Sequence, residues 1–149
     1  MAKENLRSVF GTESAILRQA PALKPRIAPT RTVLVIEPNV VALDLYRMVL
    51  RPLRCGVVHA ESGERAVATA QRYQPDLIVM ELFLPGLSAL ETLEALEALP
   101  ELAAVPIIAV STLPCTEILP QSAIAELADH FEKPIDASRL LAAVSRFLI

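Results

Sequence analysis

The sequence predicts an α/β domain built as a doubly wound parallel sheet, five strands wide, with helices on both faces. Three observations carry this. Short aliphatic runs recur between residues 32 and 132 and alternate with helical segments. Most of these runs are continuous rather than alternating, the pattern of strands buried on both faces. The chain has 149 residues, of which 53% are hydrophobic and only 4% aromatic. That suits one domain with its own aliphatic core and no need of a disulfide staple.

The elements follow in order. Thr32-Val33-Leu34-Val35-Ile36 is a β-branched run and reads as the first strand. Residues 40–53 read as a helix with apolar residues on more than one face. Gly56-Val57-Val58-His59-Ala60 is a second strand, and Ser62 is placed to cap a helix that reaches Tyr73. Pro75-Asp76 leads into a third strand over residues 77–80, and a helix over residues 88–99 ends at Pro100. Residues 105–110 read as the fourth strand. The helix expected over residues 117–127 is damaged, because Pro120 fits only its first turn. Residues 129–132 form a short fifth strand, and Asp136 caps a last helix reaching Phe147. Right-handed crossovers between parallel strands complete the doubly wound arrangement.

Residues 1–30 differ from the rest. They hold five Lys or Arg against Glu4 and Glu13, a balance of +3, whereas residues 31–149 hold nine against fifteen, or −6. Pro21, Pro25 and Pro29 recur every four residues, which excludes a helix and favours an extended linker. Leu6, Val9, Phe10, Ile16, Leu17 and Ala20 leave two readings open, a frayed tail and a short docking helix. Residues 1–30 are thus expected to be a basic, Pro-containing extension, and residues 31–149 the domain proper.

Composition also excludes classes. A net charge of −3 speaks against a general nucleic-acid binder. Cys55 and Cys115 fit neither a disulfide framework nor a zinc motif. No apolar run approaches membrane-spanning length, and residues 1–5 carry no signal-peptide core, so a cytoplasmic protein is expected. Four glycines in the whole chain, and none in Glu37-Pro38-Asn39 after the first strand, leave no phosphate cradle for a flavin or nucleotide.

In a doubly wound sheet the functional crevice lies outside the carboxyl ends of the strands. Glu37 and Pro38 fall there, as do Glu81, Ser111 and Lys133. The stretches that carry these residues resemble the receiver domain of two-component response regulators. They are Val33-Leu34-Val35-Ile36-Glu37, Ala60-Glu61-Ser62-Gly63-Glu64, Pro75-Asp76-Leu77-Ile78-Val79-Met80-Glu81, Pro106-Ile107-Ile108-Ala109-Val110-Ser111 and Lys133-Pro134-Ile135. The resemblance covers residues 32–148 in matching order. It implies a flavodoxin-like fold with strand order 2-1-3-4-5. It also implies a mechanism in which an Asp ending the third strand accepts a phosphoryl group. Two acids after the first strand help to hold Mg²⁺, and a Ser or Thr and a Lys contact the phosphoryl oxygens.

This chain departs from that pattern at the chemistry. The acceptor position is Glu81, and the acid pair has become Glu37-Pro38. Ser111 and Lys133 fit. Ser88-Ala89 stands where Asp-Gly is frequent, and His130 takes the position of the switch aromatic, with Phe131 beside it. Mg²⁺ is held by few protein carboxylates, and Pro38 offers no side-chain oxygen, so metal binding is expected to be weak or absent. Glu reaches about 1.5 Å further than Asp, and a misplacement of about 1 Å costs in-line chemistry roughly a hundredfold. The same reach could bring the Glu81 carboxylate to Lys133 and Ser111 as an imperfect stand-in for a phosphoryl group.

The expected function is therefore that of a stand-alone, atypical receiver with no catalytic residue of its own, acting in signal transduction through protein contacts. Its partner would be a histidine kinase, a phosphotransfer protein or a downstream effector, and a homodimer stays open. The competing reading is a phosphorelay regulator that still accepts a phosphoryl group at low efficiency. Arg47, Arg51 and Arg54 line the first helix, which in receivers contacts kinase or phosphotransfer partners. His59 reads as a satisfied or partly exposed strand-end histidine, and Cys115 as a residue that could be open to solvent near the damaged helix. Glu91, Glu94, Glu97 and Glu101 read as a solvated face over a Leu-rich core.

Overall fold

The computed structural model describes Ser8, Val9, Gly11, Thr12 and residues 31–148. The chain divides into two units, Met1–Thr30 and Arg31–Ile149. In the first, the two-residue strands Ser8–Val9 and Gly11–Thr12 are described. The linker reading of residues 21–29 lies outside the described residues, as does the tail or docking-helix reading of Leu6, Phe10, Ile16, Leu17 and Ala20; of the residues that carried the latter, Val9 alone is described, in a strand.

The second unit is a five-stranded parallel sheet. Its strands are β1 (Thr32–Ile36), β2 (Gly56–Ala60), β3 (Leu77–Glu81), β4 (Ile107–Ser111) and β5 (Asp129–Glu132). They lie in the order β2-β1-β3-β4-β5. This is the doubly wound order the resemblance implies. The helices are α1 (Val40–Leu50), α2 (Gly63–Tyr73), α3 (Ala89–Glu97), α4 (Gln121–Ala125) and α5 (Ala137–Leu148).

Alternation along the central strands splits the core into two layers. Leu34, Ile36, Ile78, Met80 and Ala109 pack with Ala66, Leu93 and Leu96 of α2 and α3. Val33, Val35, Val79, Ile108 and Val110 pack with Leu43, Tyr46 and Leu50 of α1 and with Leu140 and Val144 of α5. Both faces of β3 and β4 are therefore buried, which is why those stretches read as continuous apolar runs.

Caps place the helix starts above the sheet. The Asn39 side chain accepts from the backbone N–H of Val41 and Ala42, and Ser62 from that of Arg65. Ser88 and Glu91 exchange bonds as a capping box, at 3.1 and 2.9 Å. The N-termini of α2 and α3 meet closely at Gly63. A Cβ there would sit 2.3 Å from Thr92 Oγ1 and 2.7 Å from Leu87 Cβ. Gly63→Ala is therefore expected to lower stability by about 1–3 kcal/mol, through overpacking. Chemical denaturation checks this, with an unchanged midpoint as the opposing result.

Two expectations need correction. The helix expected over residues 117–127 is only Gln121–Ala125, with the short turn Cys115–Glu117 before it. Pro120 is the residue immediately before α4, so the helix could not begin upstream of it. Cys115 is buried rather than open to solvent, packed with Leu119 and Leu102 beneath that turn.

Candidate functional site

The crevice forms where β1 and β3 lie side by side and their crossovers leave in opposite directions. β1 ends at Ile36 and delivers Glu37; β3 ends on Glu81; β4 ends on Ser111; β5 ends at Glu132 and delivers Lys133. Glu37, Glu81 and Ser111 are buried polar residues, at 2%, 5% and 2% exposure. A charge that far from water needs a partner.

Lys133 supplies it. Its Nζ lies 2.5 Å from Glu81 Oε1 and 3.3 Å from Glu37 Oε1. One ammonium thus bridges two carboxylates that stand 44 residues apart in sequence. The remaining oxygens are also occupied. Glu81 Oε2 accepts from the Phe83 backbone N–H at 3.0 Å, and Glu37 Oε2 from that of Asn39 at 3.1 Å. These bonds turn each carboxylate back onto the loop that follows its own strand. Two carboxylates and one ammonium leave a formal charge of −1 in the crevice.

The electrostatics follow from this packing. Burial of Lys133 pulls its pKa down, but the hydrogen bond and charge of Glu81, with Glu37 behind them, outweigh it, and the ammonium titrates above its ordinary value. Tyr46 lies beneath on α1. Burial first, and then the charges of Glu37 and Glu81, push its hydroxyl well above the ordinary tyrosine range, so it stays protonated.

Ser111 does not join the cluster through its hydroxyl. That hydroxyl donates to the Leu113 carbonyl, while the Ser111 carbonyl accepts from the Lys133 backbone N–H at 2.7 Å. The expectation that Glu81 reaches both Lys133 and Ser111 is met at Lys133 alone, because a two-residue turn captures the serine proton. Pro38 is exposed at the rim.

His59, on β2, donates a ring N–H to the Glu37 carbonyl at 2.8 Å and so braces the end of β1. The strand-end position suggests a satisfied or partly exposed histidine; the bracing of β1 is what the structure adds. On β5, His130 and Phe131 point to opposite faces. His130 is exposed, while Phe131 packs on the α1–α5 side of the sheet with Arg139 over its ring at 5.7 Å. The loop after β3 is held from below by Glu64, whose carboxylate fills the space where a Cβ on Gly86 would lie; Gly86 itself has φ +77°.

The comparisons with known proteins decide the family. The family model for the response regulator receiver domain matches residues 33–145. The chain belongs to that family. Among curated proteins, this receiver is 27% identical over 119 residues to the polar-differentiation response regulator DivK of Brucella ovis, covering 80% of this chain and 97% of that one. Among solved structures, the receiver is similar to the receiver domain of the sensor histidine kinase PA1611 from Pseudomonas aeruginosa PAO1, described with a magnesium ion coordinated in its active-site cleft. That match has a TM-score of 0.68 and 25% identity, covering 80% of this chain and 98% of the other. A CheY-like receiver domain from Methylobacillus flagellatus matches with a TM-score of 0.71 and 24% identity, over 80% and 99% of the two chains. The receiver fold and a place in two-component signalling are therefore established for this chain. Among its described residues, no helix is long and apolar enough to cross a membrane.

Proposed function

We propose that this receiver is a signalling module that works through protein contacts and does not take up a phosphoryl group in the ordinary way. The observation that carries this reading is the Lys133 ammonium seated between Glu81 and Glu37. In a phosphorylated receiver an acidic residue ending β3 would have to be free to attack phosphorus, with Mg²⁺ beside it to neutralise charge. Here the attacking position carries a longer side chain, and both of its oxygens are engaged.

The donor set does not suit Mg²⁺. The ion asks for near-octahedral oxygen ligation at about 2.0–2.1 Å. Pro38 has no side-chain oxygen to offer, and the carboxylates of Glu37 and Glu81 already accept from Lys133 and from backbone N–H groups. Among the described residues, no three His, Cys, Asp or Glu side chains gather as metal ligands. The Lys133–Glu81 contact itself resembles a lysine–phosphoryl contact with one negative charge in place of about two. The crevice is therefore held in one arrangement without a covalent signal. Output passes through the β5 edge of the sheet, where His130 and Phe131 lie, toward a kinase, phosphotransfer protein or effector, in the cytoplasm.

Magnesium titration followed by backbone amide chemical shifts tests this. The expected result is no saturable shift at Glu37, Glu81 or Lys133 up to about 10 mM Mg²⁺, well above a cytosolic working range. Saturation in the low millimolar range at these residues contradicts the reading, and favours the regulator that accepts a phosphoryl group at low efficiency.

A further inference from the structure

Of the three buried residues of α1, Leu43, Tyr46 and Leu50, only Tyr46 carries a hydrogen-bonding side chain. It is 4% exposed. Two acids are near enough for their charges to act on its hydroxyl, Glu37 and Glu81. Both are engaged elsewhere, with Lys133 and with the backbone N–H groups of Asn39 and Phe83. Among the described residues no group bonds to the Tyr46 hydroxyl, and burial and charge alone act on it. A buried hydroxyl without a partner costs free energy, and folded proteins rarely leave one so.

Tyr46 also lines a half-open cavity of about 350 Å³ between α1 and the turn into α5. The wall around it is aliphatic, with Leu45 and Val49 from α1, Pro134 and Ile135 from the turn and Leu140 from α5. Lys133 adds its stem, because its ammonium is turned into the crevice onto Glu81 and Glu37. Water is poorly held in such a space. An ordered water needs two to four polar partners, and the side chains of this wall offer it one hydroxyl.

We propose that this cavity binds a small neutral molecule with an apolar body and one oxygen that accepts a hydrogen bond from the Tyr46 hydroxyl. Its volume falls within the roughly 300–1,000 Å³ of small-ligand sites, which pair apolar walls with a few placed polar groups. The aliphatic wall takes the apolar body. The hydroxyl stays protonated, through burial first and then the two neighbouring carboxylates, so it has a proton to give and needs an acceptor. Glu37, Glu81 and Lys133 sum to −1 beside the cavity, which disfavours an anionic head group. A cationic one would find both carboxylates already taken by Lys133. The bound molecule rests on the stem of Lys133, the residue whose head bridges the two acids. The site does not depend on whether Glu81 takes up a phosphoryl group, since no oxygen of the crevice is used.

Titration of the full chain with cyclohexanone, followed by methyl NMR shifts, tests the proposal. This probe is neutral and apolar and carries one accepting oxygen. Saturable shifts are expected at the methyl groups of Leu45, Val49, Ile135 and Leu140, with a Kd of roughly 1–10 mM, ordinary for so few atoms. Tyr46→Phe keeps the ring and removes the hydroxyl. It should bind the probe about fivefold more weakly, the scale of one hydrogen bond. Its thermal midpoint should match or exceed that of the wild type, because no bond within the protein is lost. Cyclohexanecarboxylate, of similar shape but charged, should bind at least about tenfold more weakly than the ketone. No saturable shift at these methyl groups up to about 50 mM ketone overturns the proposal and leaves water as the occupant. Equal binding by Y46F, or a carboxylate that binds as well as the ketone, overturns it too. So does a Y46F protein that melts clearly below the wild type, since the hydroxyl would then have a partner within the fold.

Discussion

Lys133→Met should lower the unfolding free energy by about 3 kcal/mol, the cost of stripping the partner from a buried charge. The side chains of Glu37 and Glu81 are 3% and 6% exposed, and Lys133 is the cation between them. Without it two carboxylates of like sign share a nearly dry crevice. Glu81→Gln is the matched control. It keeps the shape and an oxygen for the Phe83 N–H, leaves Lys133 paired with Glu37, and should cost only about 1 kcal/mol. The pH dependence separates this ion pair from mere packing. The Lys133 pKa is raised on folding, so its stabilisation is complete below the unfolded value of 10.5 and is lost as pH rises through the higher folded value. Wild-type stability should therefore lose this contribution only above about pH 10.5, and K133M should lack that loss. Urea denaturation at several pH values reads both effects. A K133M protein as stable as the wild type at neutral pH contradicts the bridging role.

The second large effect is a gain. Pro38→Asp with Glu81→Asp supplies the acid missing after β1 and shortens the side chain ending β3 by about 1.5 Å. The shorter carboxylate withdraws from Lys133, and two neighbouring acids after β1 can share a cation with it. Labelling by acetyl phosphate with Mg²⁺ should rise at least about a hundredfold, the scale set by correcting a 1 Å misplacement. If the double variant stays unlabelled while folded, Glu81 and Pro38 are not what stands between this domain and phosphoryl chemistry. Each single variant should gain much less, because ligand set and attack geometry fail independently.

Much of this fold was legible because the central strands are buried on both faces. β1, β2 and β5 occur over the residues their composition suggested. β4 begins two residues later than the apolar run, at Ile107. Pro106 has no N–H to give a ladder and contributes only its carbonyl, which accepts from Ile78. Pro120 limited α4 as its chemistry requires, but nothing local in the sequence showed that the turn before it buries Cys115. Burial there comes from joining the core layer on the α2–α3 side of the sheet, a tertiary fact.

The site was legible in its members and less so in their bonds. Strand-end positions selected Glu37, Glu81, Ser111 and Lys133 as neighbours, and three of the four share one ion cluster. That Lys133 would bridge both carboxylates, and that Ser111 would donate to Leu113 instead, depends on side-chain reach within a crevice the sheet must first assemble. The apolar residues on several faces of α1 were visible as composition. Which of them face solvent became clear only when Leu43, Tyr46 and Leu50 were seen against the sheet.

Intact-mass measurement of the wild-type chain after incubation with acetyl phosphate and Mg²⁺ bears most directly on the role of the Lys133 bridge. A domain whose acceptor position is held by that bridge should keep its unmodified mass, under conditions that label the P38D/E81D variant. A gain of about 80 Da on the wild type, lost in Glu81→Gln, would mean that Glu81 accepts a phosphoryl group and that the bridge opens to let it.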